Sequence, residues 1–220
     1  KSKLLAIMSL GIIFYARIGQ ANAQCTPTYT GNTCVGDGIT FFASTPGAYD
    51  IEWYFYDDPA KDKDLNNAKS VTYSYPSPGT YTVRVKLKYG SGTPCEATVQ
   101  ITVFAKPTAD LVLQSQDTQC FESNQFCFND KSSPTAGSKI VKVRYLFDDG
   151  ELLEEDNPVF PRTFCKKFTN RNGGTYGVTI ELEDRNGCIR KVYYKDLMVV
   201  HPKINPRFTS NYPKGCDSVL

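Results

Sequence analysis

The 220-residue chain carries 25 Lys and Arg against 23 Asp and Glu, a balance that leaves no broad basic footprint for a phosphate backbone and excludes nucleic acid as an expected partner. Its 14 Tyr and 13 Phe stand against two Met and one His, which suits strand-rich structure better than a helical bundle. The length fits about two domains of the usual ~100–200 residues.

The first residues read as an export signal. Lys1 and Lys3 form a basic start, residues 4–16 an apolar stretch, and Ala21-Asn22-Ala23 a small-x-small cleavage site, so residues 1–23 are a predicted signal peptide, removed after Ala23. A membrane anchor is the competing reading, but the apolar run is shorter than the ~20 residues that span a bilayer, and Arg17 interrupts it. The mature chain is therefore expected to have no membrane span and to be secreted or held at the cell surface. Lipidation of Cys25 is disfavoured by Gln24 immediately before it, where a small residue is wanted.

In residues 24–105, runs rich in β-branched and aromatic residues at 39–43, 51–55, 71–75, 81–87 and 97–104 are separated by turn clusters and predict strands. Tyr81, Val83, Val85 and Leu87 alternate with Thr82, Arg84, Lys86 and Lys88, the period of two that buries one face and wets the other. With Trp53 and Phe55 pointing inward, Tyr54 and Tyr56 project from the opposite face and form a candidate ligand surface for sugar stacking, although strand propensity explains them as well. Tyr193 and Tyr194 raise the same question further along. After the second run, Asp57, Asp58, Asp62 and Asp64 are the best calcium candidates, because calcium takes several oxygen ligands from a short loop. That loop lacks a sharp-turn Gly and a Glu at the twelfth position, and it places Lys61 and Lys63 among the would-be ligands. A solvated loop is favoured, and no metal or cofactor is assigned.

Phe104-Ala105-Lys106-Pro107 closes a strand with a proline and marks a short joint. Residues 106–202 then repeat the pattern, with runs at 126–128, 141–147, 163–165, 176–182 and 192–200, and with Tyr176, Val178, Ile180 and Leu182 as the inward set. Asp148-Asp149-Gly150, followed by Glu151, Glu154, Glu155 and Asp156, is again acidic; turn chemistry and surface charge account for it. His201, the only histidine, stands beside Pro202 at a second joint and has no sequence-level partner for a catalytic triad or a zinc site. Residues 203–220 resemble the opening of each earlier copy and read as a third repeat that is cut off, so the sequence is expected to be an excerpt.

The copies share two signatures. Trp53-Tyr54-Phe55-Tyr56-Asp57-Asp58 recurs 92 residues later as Tyr145-Leu146-Phe147-Asp148-Asp149-Gly150, and Gly79-Thr80-Tyr81-Thr82-Val83 recurs 95 residues later as Gly174-Thr175-Tyr176-Gly177-Val178. That period is a whole small domain, far too long for a solenoid unit. Short strands at roughly ten-residue spacing predict an all-β chain of two antiparallel sandwiches.

The cysteines follow the repeat, and export makes pairing their default. Cys34 and Cys120 precede the first core strand of their copies, and Cys95 and Cys188 follow the Gly-Thr-Tyr strand. The expected pairs are Cys34 with Cys95 and Cys120 with Cys188, each worth about 4 kcal/mol on the chain-entropy account. Cys127 and Cys165 are expected to link adjacent strands, leaving Cys25 and Cys216 over.

These motifs resemble the polycystic-kidney-disease (PKD) repeat, an immunoglobulin-like sandwich whose pattern is Trp-x-Phe-Gly-Asp-Gly followed by Tyr-x-x-x-Gly-x-Tyr-x-Val. Tyr75-Pro76-Ser77-Pro78-Gly79-Thr80-Tyr81-Thr82-Val83 matches the second part, and residues 53–58 and 145–150 match the first. Tyr56 and Asp148 replace the first motif Gly, Asp58 the second in copy one, and Tyr145 replaces Trp in copy two. The Asn186-Gly187-Cys188 turn and the early cysteine of each copy are most similar to PKD repeats in surface proteins of Bacteroidota. The resemblance implies tandem immunoglobulin-like sandwiches over about residues 25–202. It also implies a non-catalytic extracellular module acting in adhesion, spacing, or binding of protein or polysaccharide, with neighbouring repeats of the same chain as partners. The alternative is an accessory segment of a secreted polymer-degrading hydrolase whose catalytic domain lies beyond residue 220. A third reading is a carbohydrate-binding module acting through Tyr54 and Tyr56.

Overall fold

The structure is a computed structural model that describes residues 25–44, 47–55, 68–90 and 93–207; the expected signal peptide lies outside them. The chain divides between Val103 and Phe104 into two compact units, and each is an immunoglobulin-like β-sandwich.

In the first unit, β1 (Thr28–Thr30), β2 (Ile39–Phe42) and β4 (Ser70–Tyr73) form one antiparallel sheet in the order β1-β2-β4. The other sheet has the order β3-β5-β6, from β3 (Ala48–Tyr54), β5 (Gly79–Tyr89) and β6 (Cys95–Val103). Period-two alternation decides what meets between them. Phe41 from one sheet packs with Trp53, at 6.3 Å between ring centroids, and with Phe55, at 5.4 Å. Val83, Val85 and Leu87 are buried alongside. The Trp53 indole satisfies its one donor by bonding the Ala68 carbonyl at 2.8 Å, as a buried N–H requires.

The second unit is larger. Its smaller sheet has the order β12-β9-β7, from β7 (Leu111–Leu113), β9 (Phe126–Asp130) and β12 (Arg162–Lys166). The other sheet has five strands, β11 (Leu152–Asp156), β10 (Ile140–Phe147), β13 (Gly174–Asp184), β14 (Ile189–His201) and β8 (Thr118–Cys120), in that spatial order. All pairings are antiparallel except β14 with β8, which is parallel. Tyr145 occupies the place that Trp53 holds in the first unit. It packs on Phe164 at 4.4 Å, and its hydroxyl donates to the fully buried Asp130 at 2.5 Å. Burial first, and then the Asp130 carboxylate, pushes the Tyr145 phenol well above its ordinary value.

The Gly-Thr-Tyr signature has one job in both units. The Tyr81 hydroxyl donates back to the Ser77 carbonyl at 2.8 Å, and Tyr176 to the Gly173 carbonyl at 3.3 Å, the tyrosine corner of immunoglobulin-like sandwiches. Each ring stacks at 4.0 Å on an aromatic from the preceding segment, Tyr75 or Phe168. Gly173 is required here: its φ is +69°, and a Cβ would lie 2.3 Å from the Val200 carbonyl oxygen.

Four strands lie where no strand was expected. β1, β7 and β8 span three residues each, too few for a period to declare itself. β11, Leu-Leu-Glu-Glu-Asp, reads as solvated charge but pairs along its whole length with β10. Alternation along β10 is testable: Phe147 is 1% exposed and Leu146 is 44% exposed. Phe147→Ala should therefore cost about 3–5 kcal/mol in urea unfolding of the second unit, while Leu146→Ala should stay within about 1 kcal/mol.

Candidate functional site

Of the residues singled out from sequence, Tyr56, Asp57, Asp58, Asp62 and Asp64 lie outside the described residues. Tyr54 is half-buried on the outer face of β3. Its hydroxyl donates to Glu52 at 2.7 Å, and the Arg84 guanidinium sits 4.1 Å over its ring. Lys88 also contacts Glu52 and donates to Asp50 at 2.8 Å. The Lys88 ammonium and then the Tyr54 hydroxyl hold the Glu52 carboxyl below its ordinary value. Tyr54 is thus part of a charged lattice, with a cation on one face of the ring.

The acidic turn of the second unit is where its two sequence signatures meet. Asp148 Oδ2 accepts from the Gly177 amide at 2.6 Å and from the Tyr193 hydroxyl at 2.9 Å. Gly177 lies opposite an irregularity in β14. Tyr176 pairs with Met198 and Val178 with Tyr194, so Lys195, Asp196 and Leu197 bow out, with Asp196 at φ 49°. A Cβ on Gly177 would lie 2.6 Å from the Tyr194 carbonyl oxygen and 2.7 Å from the phenol end of Tyr193. The glycine therefore admits the Tyr193 ring, and Asp148 holds the far end of that ring. The Asp148 hydrogen bond, with burial second, raises the Tyr193 phenol above its ordinary value.

The next carboxylates belong to Lys166. Its side chain is only 3% exposed and reaches Asp149 at 2.7 Å and Glu151 at 2.6 Å, while its ammonium lies 4.9 Å from the Phe168 ring centre. Burial alone lowers a lysine; the two carboxylates outweigh it, and the net shift is upward. Glu154 faces Lys142 at 3.3 Å and Arg144 at 2.5 Å, Asp156 faces Lys142 at 3.3 Å, and Glu155 faces Arg162 at 2.5 Å. Every carboxylate of the acidic run thus has a cation or an amide as partner. Among the described residues no group of three or more His, Cys, Asp or Glu is placed to hold a metal ion.

The cysteines form the expected Cys127–Cys165 link but depart from the other two expected pairs. Cys95 bonds Cys25 rather than Cys34, across Cα atoms 6.3 Å apart. Cys120 is a free, exposed thiol, so no bond joins it to Cys188. Cys34 and Cys188 are themselves disulfide-bonded. Cys127 and Cys165 are bonded across directly paired positions of β9 and β12. Similar places in the two repeats did not mark partners: a bridge needs Cα atoms within about 7 Å, and it is Cys25 that meets this for Cys95. Bonds of this kind belong to an extracellular or secreted protein. His201 is exposed and stands in register with Cys120 on the neighbouring strand.

Lys166 and the Asp148–Gly177 contact were missed by sequence reasoning. Lys166 lies in an ordinary Cys-Lys-Lys run, and nothing local marks it as buried.

No protein-family model and no curated protein sequence matches the chain. Among solved structures it is similar to the fibronectin(III)-like modules of CbhA from Clostridium thermocellum, with 14% identity, a TM-score of 0.43, and coverage of 84% of this chain and 100% of that one. It is also similar to the three N-terminal domains of the highly immunogenic outer capsid protein Hoc of bacteriophage RB49, at 16% identity and TM-score 0.32, covering 80% of this chain and 59% of that one. The FN1–FN3 domains of chicken CNTN1 match at 10% identity and TM-score 0.35, covering 79% and 66%.

Lys166→Met should destabilise the second unit by about 1–3 kcal/mol, since it strips two partly exposed carboxylates of their cation. With its folded value raised above the ordinary 10.5, Lys166 contributes fully below that pH and loses its contribution only as the pH climbs past the folded value. Denaturation of the wild type and the variant should therefore differ by a constant amount from neutrality to mildly alkaline pH and converge above it. Gly177→Ala should cost about 1–3 kcal/mol by the same measurement, because the methyl group displaces Tyr193 or the Tyr194 carbonyl.

Proposed function

We propose that the chain is a PKD-type segment of an exported protein that spaces or presents other modules at the cell surface, binds protein or polysaccharide there, and performs no catalysis of its own. The observation that carries this reading is the use made of the acidic signature. Asp148 fastens β10 to the Gly177 amide, and Asp149 and Glu151 are clamped by Lys166. The buried Asp184 accepts from the Asn186 and Cys188 amides and from the Ser138 hydroxyl. Groups that a hydrolase would aim at a substrate are here aimed at neighbouring strands.

A spacer must bear tension, and the strand pairing of the second unit supports that reading. β8, near the start of the unit, pairs in parallel with β14, at its end, and the Val199 amide donates to the Asp117 carbonyl at 2.7 Å. Pulling the two ends of the unit apart drags these strands in opposite directions along their length. Their hydrogen bonds are then loaded together rather than one after another. The Cys127–Cys165 bond fixes β9 to β12 in the opposite sheet, and Cys25–Cys95 closes a separation of 70 residues in the first unit.

Single-molecule pulling tests the reading. Val199→Pro removes the amide that bonds Asp117 and should lower the force at which the second unit yields. Leu182→Ala, a core truncation costing about 2–5 kcal/mol, should lower it much less. Equal forces for Val199→Pro and the wild type would remove the spacer role.

A further inference from the structure

We propose that Tyr193, together with the row of side chains beside it on the outer face of the five-stranded sheet, is a binding platform for an uncharged polysaccharide chain. The inference rests on the reading of the protein as a non-catalytic surface module.

Cross-strand register places four residues in a line. Leu152 pairs with Leu146, Leu146 with Thr179, and Thr179 with Tyr193, so their side chains share one face of β11, β10, β13 and β14. Leu152 is 51% exposed, Leu146 44% and Tyr193 51%. Exposure alone would mean little. What distinguishes Tyr193 is that its ring is held from behind: the phenol end lies over Gly177, where no side chain intervenes, and its oxygen is tied to Asp148. An aromatic fixed in orientation before its partner arrives loses little freedom on binding, and a tyrosine offers an apolar plane with a polar tip. Tyr54 in the first unit shows the contrast, since Arg84 covers its ring.

The dimensions and charges choose the occupant. Three inter-strand steps make the row roughly 14 Å long, and it is one side chain wide. Such a strip is far smaller than the ~800 Å² per partner that a stable protein interface takes, but it suits a narrow chain of sugar rings presenting apolar faces. On one side stands the exposed Asp148 carboxylate, whose other oxygen accepts no hydrogen bond from the described residues and is available to a sugar hydroxyl. On the other side, Arg144, Glu154, Glu181 and Lys191 pair among themselves and offer no surplus positive charge to an anionic chain.

Titration calorimetry of the whole chain with cellohexaose, chitohexaose, laminarihexaose and polygalacturonate tests the proposal. At least one neutral hexasaccharide should bind. Tyr193→Ala should weaken it about tenfold or more, the scale of one lost stacked ring. Tyr193→Phe, which keeps the plane but loses the tie to Asp148, should weaken it, though less than Tyr193→Ala does. Leu152→Ser, at the far end of the row and clear of the Asp148 contact, should also weaken it, which keeps the test informative if Tyr193→Ala does not fold. Tyr54→Ala should change nothing. The proposal is overturned if no neutral hexasaccharide binds, if affinity survives both Leu152→Ser and a folded Tyr193→Ala, or if polygalacturonate binds more tightly than the neutral chains. Shorter sugars in the mass spectrum of the same mixtures would instead overturn the non-catalytic reading on which the proposal rests.

Discussion

A β-strand gives every second side chain to the core and the rest to its outer face, and both faces of these sandwiches follow from that division. Along β10, Val143, Tyr145 and Phe147 are buried, while Lys142, Arg144 and Leu146 take the alternate positions. The inward set closes the two sheets over a common core of aromatic rings. The outward set, in register with β11 and β13, assembles the ion pairs of Lys142 and Arg144 and the apolar row at Leu146. A slip of one residue would exchange the two and abolish both.

Within this frame, the acidic turn acts as a fastener. Its carboxylates stand close together at the end of β10, a repulsive arrangement unless cations or amides are supplied. Lys166 comes from the opposite sheet and is desolvated between Phe147 and Phe168, so its charge is weakly screened and its two carboxylate contacts tie the sheets together. Asp148 instead reaches along its own sheet to Gly177. The aromatic difference between the units follows the same demand for satisfaction. Trp53 needs one acceptor and finds a backbone carbonyl. Tyr145 finds Asp130, whose other oxygen accepts from the Ser132 amide at 2.8 Å.

Much of this architecture was legible in the order of residues. The Gly-Thr-Tyr signature announced a strand entry because its interaction, hydroxyl to a carbonyl three or four residues back, is local. The alternation in β5 and β13 announced their buried faces for the same reason. The short strands β1, β7 and β8 carried no such pattern. β11 was masked by its charges, whose cations sit on β10 and β12 and are separated from it in sequence.

The repeat, the all-β class and the inward set of each long strand are properties of neighbours in sequence, governed by a period of two and by turn chemistry, and they needed nothing beyond the residues themselves. Which cysteine faces which, and what each carboxylate holds, came only with folding. Cys25 and Cys95 lie 70 residues apart, Asp148 and Gly177 lie 29 apart, and Lys166 and Glu151 lie 15 apart. Such contacts depend on strand order and register. Many residue patterns satisfy the same order and register, so the local sequence carries no mark of the partner.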